Sequence, residues 1–377
     1  MKQKSLLLYR YSVPFRTPFH YANGSIDKRE GFLIGSGKSI WTEIAPLPGF
    51  SGESMEDAGS FLKNNWNLIL QHFKNATLDR FLVEEAQQSG IEQFPSIRFG
   101  LSLLDEQQKA SASGLPLFAY WQEQWFPDAA ETKGYVRCNA LAEHQNMEEL
   151  LQVIHFRKES GFRTMKVKLT ADPETAYNVI NETCTRFPDV IFRYDANRAF
   201  SLQEALGLFE RLRSRFDRDQ TGNNLQYIEE PLSNPDVDSL TKLKKFGISI
   251  AADESARSSA EVRKLNESGS FDYLVIKPML FGSFNELKEL IQSDSSVTIS
   301  SVFETAVGRM LLAHLAALFN NNRETDHGLA TGPFLMDDVS TSMPGPHIKL
   351  KSKPGIGLKV NMDKTWLTPE VDSSNKE

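Results

Sequence analysis

From about residue 134 the chain alternates short runs of β-branched and aromatic residues with longer stretches whose apolar positions recur at helical spacing. The strand-like runs fall at 135–139, 164–169, 191–195, 226–229, 248–253, 273–277 and 297–300, with a weaker one near 327–329. They recur about every 27 residues, the length of a strand, a helix and two short loops. An insertion before Gln226 stretches one unit. Eight strands is the closing number for a small parallel barrel. Between the runs, Ser201-x-x-Glu204, Ser258-x-x-Glu261 and Ser283-x-x-Glu286 fit the helix capping box, and Asp172-Pro173 places proline in a first helical turn. These are ordinary helix starts, and their value is to mark where each strand ends.

Residues 1–130 lack this rhythm. Strand-like stretches at 6–13 and 31–44 precede helical pieces, one of them opening at Pro95 with Phe94, Ile97, Leu101 and Leu104 at helical spacing. The pattern predicts a separate α+β domain over 1–130, completed by a C-terminal segment at 346–371, and a catalytic barrel over 131–345. The polar tail at 372–377 reads as disordered.

Charge and cysteine usage narrow the classes of partner. With 42 Lys and Arg against 49 Asp and Glu, the net charge is -7 without a long run of either sign, which argues against nucleic acid. Cys138 and Cys184 cannot build a disulfide framework or a Cys-rich zinc site and fit a reducing, cytoplasmic setting. The basic start carries too short an apolar run for a signal peptide, and no stretch approaches a membrane span. A small-molecule partner is expected, with a homo-oligomer left open.

In a parallel barrel the chemistry sits at the C-terminal ends of the strands. Here Lys166 and Lys168 end the second strand, Asp195 the third, Glu229 the fourth, Asp253 the fifth and Lys277 the sixth. Residues two apart on a strand share a side, so Lys166 joins Lys168 and Arg193 joins Asp195. A single strand-terminal carboxylate most often caps a helix, and a lone lysine is usually solvated. Five consecutive strands ending this way at one mouth point instead to a site. Three carboxylates on neighbouring strands need a compensating cation, and oxygen donors without a His or Cys cluster indicate magnesium. Flanking lysines suit proton abstraction next to a carboxylate, the metal stabilising the enediolate. Burial and the neighbouring Lys166 ammonium are expected to lower the pKa of the base.

Lys166-Val-Lys168, Asp195-Ala-Asn197, Ile228-Glu-Glu-Pro231, Ala252-Asp-Glu-Ser255 and Ile276-Lys-Pro278 together resemble the enolase superfamily, in order and across the whole barrel. The resemblance implies an α/β fold, a modified TIM-like (β/α)7β barrel with an α+β N-terminal capping domain. It also implies Mg²⁺, with Mn²⁺ as a substitute, on Asp195, Glu229 and Asp253. Lys168 and Lys277 match the catalytic pair of the muconate-lactonising subgroup. Lys166, Arg193, Asn197, Glu230 and Glu254 would support the site or bind substrate. Within that subgroup, 29–31, 41–54, 193–198 and 300–308 are similar to the o-succinylbenzoate synthase family of menaquinone biosynthesis. The activity implied is syn-dehydration of 2-succinyl-6-hydroxy-2,4-cyclohexadiene-1-carboxylate.

Asn139, Ser300, Ser301 and a loop at 17–25 are candidate substrate contacts. Phe281 and the segment 332–338 depart from the pattern and bear on the pocket. Two rivals keep the scaffold, racemisation of an N-succinyl amino acid and epimerisation of a dipeptide, both exchanging a proton between Lys168 and Lys277 across two faces. Dipeptide epimerases usually carry Asp-x-Asp after the last strand, where this chain has the adjacent Asp337 and Asp338. A non-catalytic metal-binding scaffold would have no use for both lysines.

Overall fold

The computed structural model describes residues 5–372 apart from 22–23, 38, 85, 128–131, 143–144, 221, 223, 292–294, 320–324 and 341–344. The expected disordered tail therefore lies outside the described residues from 373 onward. The N-terminal runs form β1 (Leu7–Tyr21), β2 (Gly24–Ser36) and β3 (Ile40–Ile44), an antiparallel meander. The single stretch expected at 31–44 is two strands, with Gly37 at φ +63° in the turn between them.

Strand alternation divides this sheet between two cores. Leu8, Phe32, Ile34 and Ile44 pack on the domain's own helices, including Met55–Asn64, Trp66–Asn75 and Pro95–Ala112. Tyr11, Val13, Leu33 and Trp41 face the other way, into a core continuous with the barrel. Ile97, Leu101 and Leu104 are buried as their spacing predicts. Gly100 admits close contact there, because a Cβ on it would lie 2.4 Å from Ile44 Cγ1.

The repeating half folds into β4 (Tyr135–Arg137), β5 (Ala140–Ala142), β6 (Thr164–Lys168), β7 (Ile191–Asp195), β8 (Leu225–Glu229), β9 (Ile250–Ala252), β10 (Tyr273–Ile276) and β11 (Val297–Ile299). From β5 to β11 these form one parallel sheet in sequence order. The weak eighth run closes it through parallel bridges from Gly328 to Ser300 and from His327 to Cys138. Capping follows the sequence. Ser201, Ser258 and Asp172 each accept from the amide three residues on, and Ser201 with Glu204 completes a reciprocal box. The insertion before Gln226 follows an 18-residue helix, Leu202–Asp219.

The first barrel strand needs correction. The run expected at 135–139 changes partner in its middle: Tyr135–Arg137 pairs antiparallel with β12 (His347–Lys349), whereas Ala140–Ala142 joins β6. The Cys138 amide donates to Pro346 O at 2.8 Å and the Asn139 amide to His327 O at 2.9 Å, which marks the switch. The C-terminal segment divides likewise. β13 (Leu367–Asp372) adds to the capping sheet beside β1, while β12 belongs to the ribbon under the barrel. Among the described residues no helix is long and apolar enough to cross a membrane.

Candidate active site

Along β6, Met165 and Val167 are buried in the surrounding core, so Lys166 and Lys168 project into the barrel mouth. Along β7, Phe192 and Tyr194 pack outward, leaving Arg193 and Asp195 inside. The register sets Lys168, Asp195 and Glu229 side by side, with Glu229 opposite Ala251, two residues before Asp253. One layer below, Tyr227, Ala251 and Val275 form a small apolar cluster inside the barrel, a floor beneath the charged layer.

The charged layer neutralises itself. Lys166 Nζ lies 2.7 Å from Asp195 Oδ2 and 2.8 Å from Glu229 Oε1, and Lys277 is ion-paired with Asp253. Burial works against the Lys166 ammonium, but Asp195, Glu229 and Asp253 outweigh it and hold its pKa above the ordinary lysine value. Lys277 is raised for the same reasons, burial being overcome chiefly by Asp253. Burial and the Asp195 charge push Glu229 up, whereas Asp253 is held low against its burial by Lys277 and Lys166. Lys166 thus serves the carboxylates directly, a use beyond the charge it was expected to lend Lys168.

The donor set fits a divalent cation. All three carboxylates are buried, all offer oxygen, and Glu229 Oε2 has no hydrogen-bond partner. Among the described residues no three His, Cys, Asp or Glu groups close on one point as the side chains stand. The two ammonium groups supply the compensating charge there, and an ion would take that role over.

Supporting residues surround this layer. Glu230 is fully buried at φ +42°; its Oε1 accepts from the amides of Asp253 (2.9 Å) and Ser255 (2.7 Å), and its Oε2 from Arg198 Nε (3.1 Å). Asn197, at φ +44°, donates its amide to Asp195 Oδ1 at 3.0 Å. Glu254 lines the cavity, pushed up to about 7 by burial and then by the Asp253 charge. Of the two places expected for Arg193, supporting the site or binding substrate, the geometry gives the first. It is 1% exposed, stacks over Tyr227 and donates to Asn139 Oδ1 at 3.1 Å and to Asp326 O at 2.6 Å, so it reaches the pocket through these neighbours.

Above the lysines lies a cavity of about 690 Å³ lined by Asn139, Lys166, Lys168, Asp195, Asn197, Ser300 and Ser301, among others. Its roof is aromatic. Lys168 Nζ is 4.7 Å from the Phe19 ring centre and Lys277 Nζ 6.0 Å from that of Phe50, while Phe19 lies 4.7 Å from Phe303. Phe19 lies in the loop at 17–25 expected to contact substrate, and Phe50, Arg198 and Phe303 lie in stretches that carry the resemblance, but none was named as a contact; Arg257, which also lines the cavity, lies outside all of these. The loop expected at 17–25 belongs to the β1–β2 hairpin, residues 22–23 lying outside the described residues. Phe281 is buried in the core, away from the pocket lining.

Asp337 and Asp338 are engaged elsewhere. Lys364 Nζ donates to Asp337 Oδ1 at 2.8 Å and Trp366 Nε1 to its Oδ2 at 2.9 Å. Asp338 accepts from the Ala306 amide at 2.8 Å and from Arg309 at 2.5 Å. Neither lines the cavity.

Residues 149–364 match the enolase C-terminal domain-like family and residues 3–107 the MenC N-terminal domain. An o-succinylbenzoate synthase of Vibrio cholerae serotype O1 (strain M66-2) is 30% identical, covering 82% of this chain and 84% of the relative. The chain belongs to the o-succinylbenzoate synthase family. Another member, from Pectobacterium atrosepticum, is 27% identical over 92% of this chain and 96% of its own length. Membership makes the protein an enzyme of the lyase class within a superfamily that depends on a divalent metal. Among solved structures, an N-succinyl Arg/Lys racemase of Bacillus cereus aligns with a TM-score of 0.79 at 18% identity, over 98% of this chain and all of that one. A muconate lactonizing enzyme of Pseudomonas fluorescens aligns with a TM-score of 0.77 at 16% identity, over 95% of this chain and 96% of the other. These likenesses concern the fold, a capped (β/α)7β barrel.

Proposed function

We propose that this enzyme dehydrates 2-succinyl-6-hydroxy-2,4-cyclohexadiene-1-carboxylate to 2-succinylbenzoate and water, with Lys168 as base and acid. The observation that carries the reading is one cavity holding Lys168 and Lys277 against a layer of three buried carboxylates. Lys168 takes the proton alpha to the ring carboxylate. The carbon–oxygen bond to the ring hydroxyl then breaks, the electron pair left by the proton forms the new double bond, and Lys168 returns the proton to the departing oxygen. Proton and leaving group lie on one face, so one group serves both steps. Lys277 offsets the negative charge that develops on the substrate, and the aromatic roof keeps water from the reacting carbon.

Asp195, Glu229 and Asp253 would hold the divalent cation, for which oxygen donors favour Mg²⁺ with Mn²⁺ as a substitute. When bound, it supplies charge stabilisation to the substrate carboxylate. Glu230 and Asn197 keep the ligands in place through the Asp253 amide and Asp195 Oδ1. The dipeptide epimerase reading loses its ammonium-binding pair, because Asp337 and Asp338 are tied to Lys364, Trp366, Arg309 and a helix start.

Two assays test this. Incubation with the cyclohexadiene substrate should yield 2-succinylbenzoate. Exhaustive chelation should abolish the yield and added Mg²⁺ or Mn²⁺ restore it; undiminished turnover after chelation would refute the metal site.

A further inference from the structure

The reacting side chains come from barrel strands, yet two walls of the cavity are held from the capping sheet. Arg29 on β2 is 1% exposed. Its Nε donates to Val302 O at 3.0 Å, its Nη1 to Glu30 O and Pro46 O at 2.7 Å each, and its Nη2 to Ala45 O at 2.5 Å. Val302 sits between Ser301 and Phe303, both of which line the cavity, and Ala45-Pro46 leads to Gly49 and Phe50, which line it opposite. One guanidinium therefore ties the loop after β11 to the loop after β3.

Glu43 on β3, fully buried, holds the same loop further along. Its carboxylate accepts from the Thr305 amide (3.0 Å), Thr305 Oγ1 (2.5 Å), the Gly308 amide (2.9 Å) and Tyr11 OH (2.6 Å). The loop requires such restraint, since Phe303 sits at φ +64°, a region a bulky side chain seldom adopts. Neither Arg29 nor Glu43 lines the cavity.

We infer that Arg29 and Glu43 are positioning residues for substrate binding, fixing the separation of the Phe50 and Phe303 walls while leaving proton transfer to the barrel lysines. The inference rests on the dehydration reading and deepens it: affinity for the succinyl-bearing ring is set from the interface between the domains. Arg29→Lys keeps the charge but cannot present a planar fork to carbonyls on two loops. Tyr11→Phe removes one of the Glu43 bonds and leaves the remainder.

The test uses the full-length, metal-loaded enzyme, with steady-state kinetics on the cyclohexadiene substrate and calorimetric binding of 2-succinylbenzoate. Arg29→Lys should raise KM and the product Kd in parallel by about tenfold or more, with kcat within about threefold, the signature of lost uniform binding. Tyr11→Phe should move both constants the same way by about two- to fivefold and decides the matter where Arg29→Lys does not fold. Normal wild-type turnover with unmoved KM and Kd, or a loss confined to kcat, would overturn the inference alone. Absent wild-type turnover would overturn the functional reading and the inference with it.

Discussion

The two lysines differ in what surrounds them. Lys277 is paired with Asp253 and held charged, as an electrostatic role requires, and Lys168 lies against the Phe19 ring. Lys277→Ala should therefore reduce dehydration far more than Lys277→Arg, which keeps the charge but with a bulkier, differently hydrated head. Turnover of the two variants under saturating metal checks this; equal losses would give Lys277 a part beyond charge. The catalytic residue types were legible at this scale because each ends a strand and the strands repeat. For Arg193 strand parity gave the side it faces but not its depth, and so left open whether it supports the site or binds substrate: it lies below the mouth, over Tyr227.

Among the elements, the β1–β2 hairpin carries the loop at 17–25 that the sequence put forward as a substrate contact, though not the part Phe19 plays in it. Phe19 sits 4.7 Å from both Lys168 Nζ and the Phe303 ring centre, and Phe50 completes the roof. Truncation removes a wall of the cavity, and losing about 1–2 kcal/mol of aromatic contact with a bound ring would raise KM about 5- to 30-fold in Phe19→Ala. An exposed substitution such as Arg263→Ala provides the comparison; identical KM values would mean that the roof does not touch substrate. Helix starts were readable because a cap is a local bond, Ser201 with Glu204 being the plainest. The change of partner at Cys138 was hidden, because the pairing depends on Pro346 and His327, about 200 residues later in the chain.

Across the molecule, the barrel's closing and the domain contact bury imidazoles as neutral groups. Burial holds His314 down to about 4, and burial with the Arg193 charge holds His327 down to about 3. Below the ordinary value of 6.5 the unfolded chain binds two protons that the folded chain does not yet accept. Their stabilisation is present above that pH and is lost as pH falls through the window toward 4 and 3, by up to about 1.4 kcal/mol per unit per histidine. Buried carboxyls such as Glu254 act in the opposite sense, so the contribution is read as a difference: denaturant unfolding at pH 7 and pH 5 should show the wild type losing stability relative to His314→Gln as pH falls, and a difference that does not change with pH would contradict the burial argument. The β/α repeat announced the barrel, and even the two-residue eighth strand was anticipated. How the tail divides between β12 and β13 was not, because both are short and pair at long range.

In the proposed dehydration one lysine performs both proton transfers on one face. This is tested most directly by following Lys168→Ala and Lys277→Ala in deuterated buffer, with the cyclohexadiene substrate beside both enantiomers of an N-succinyl amino acid. Lys168→Ala should lose both dehydration and exchange of the cyclohexadiene alpha proton, and wild-type racemisation should be slow beside dehydration. Single variants that each still exchange the proton of one N-succinyl enantiomer, at rates comparable to wild-type dehydration, would contradict this and make two-face proton transfer the enzyme's main chemistry.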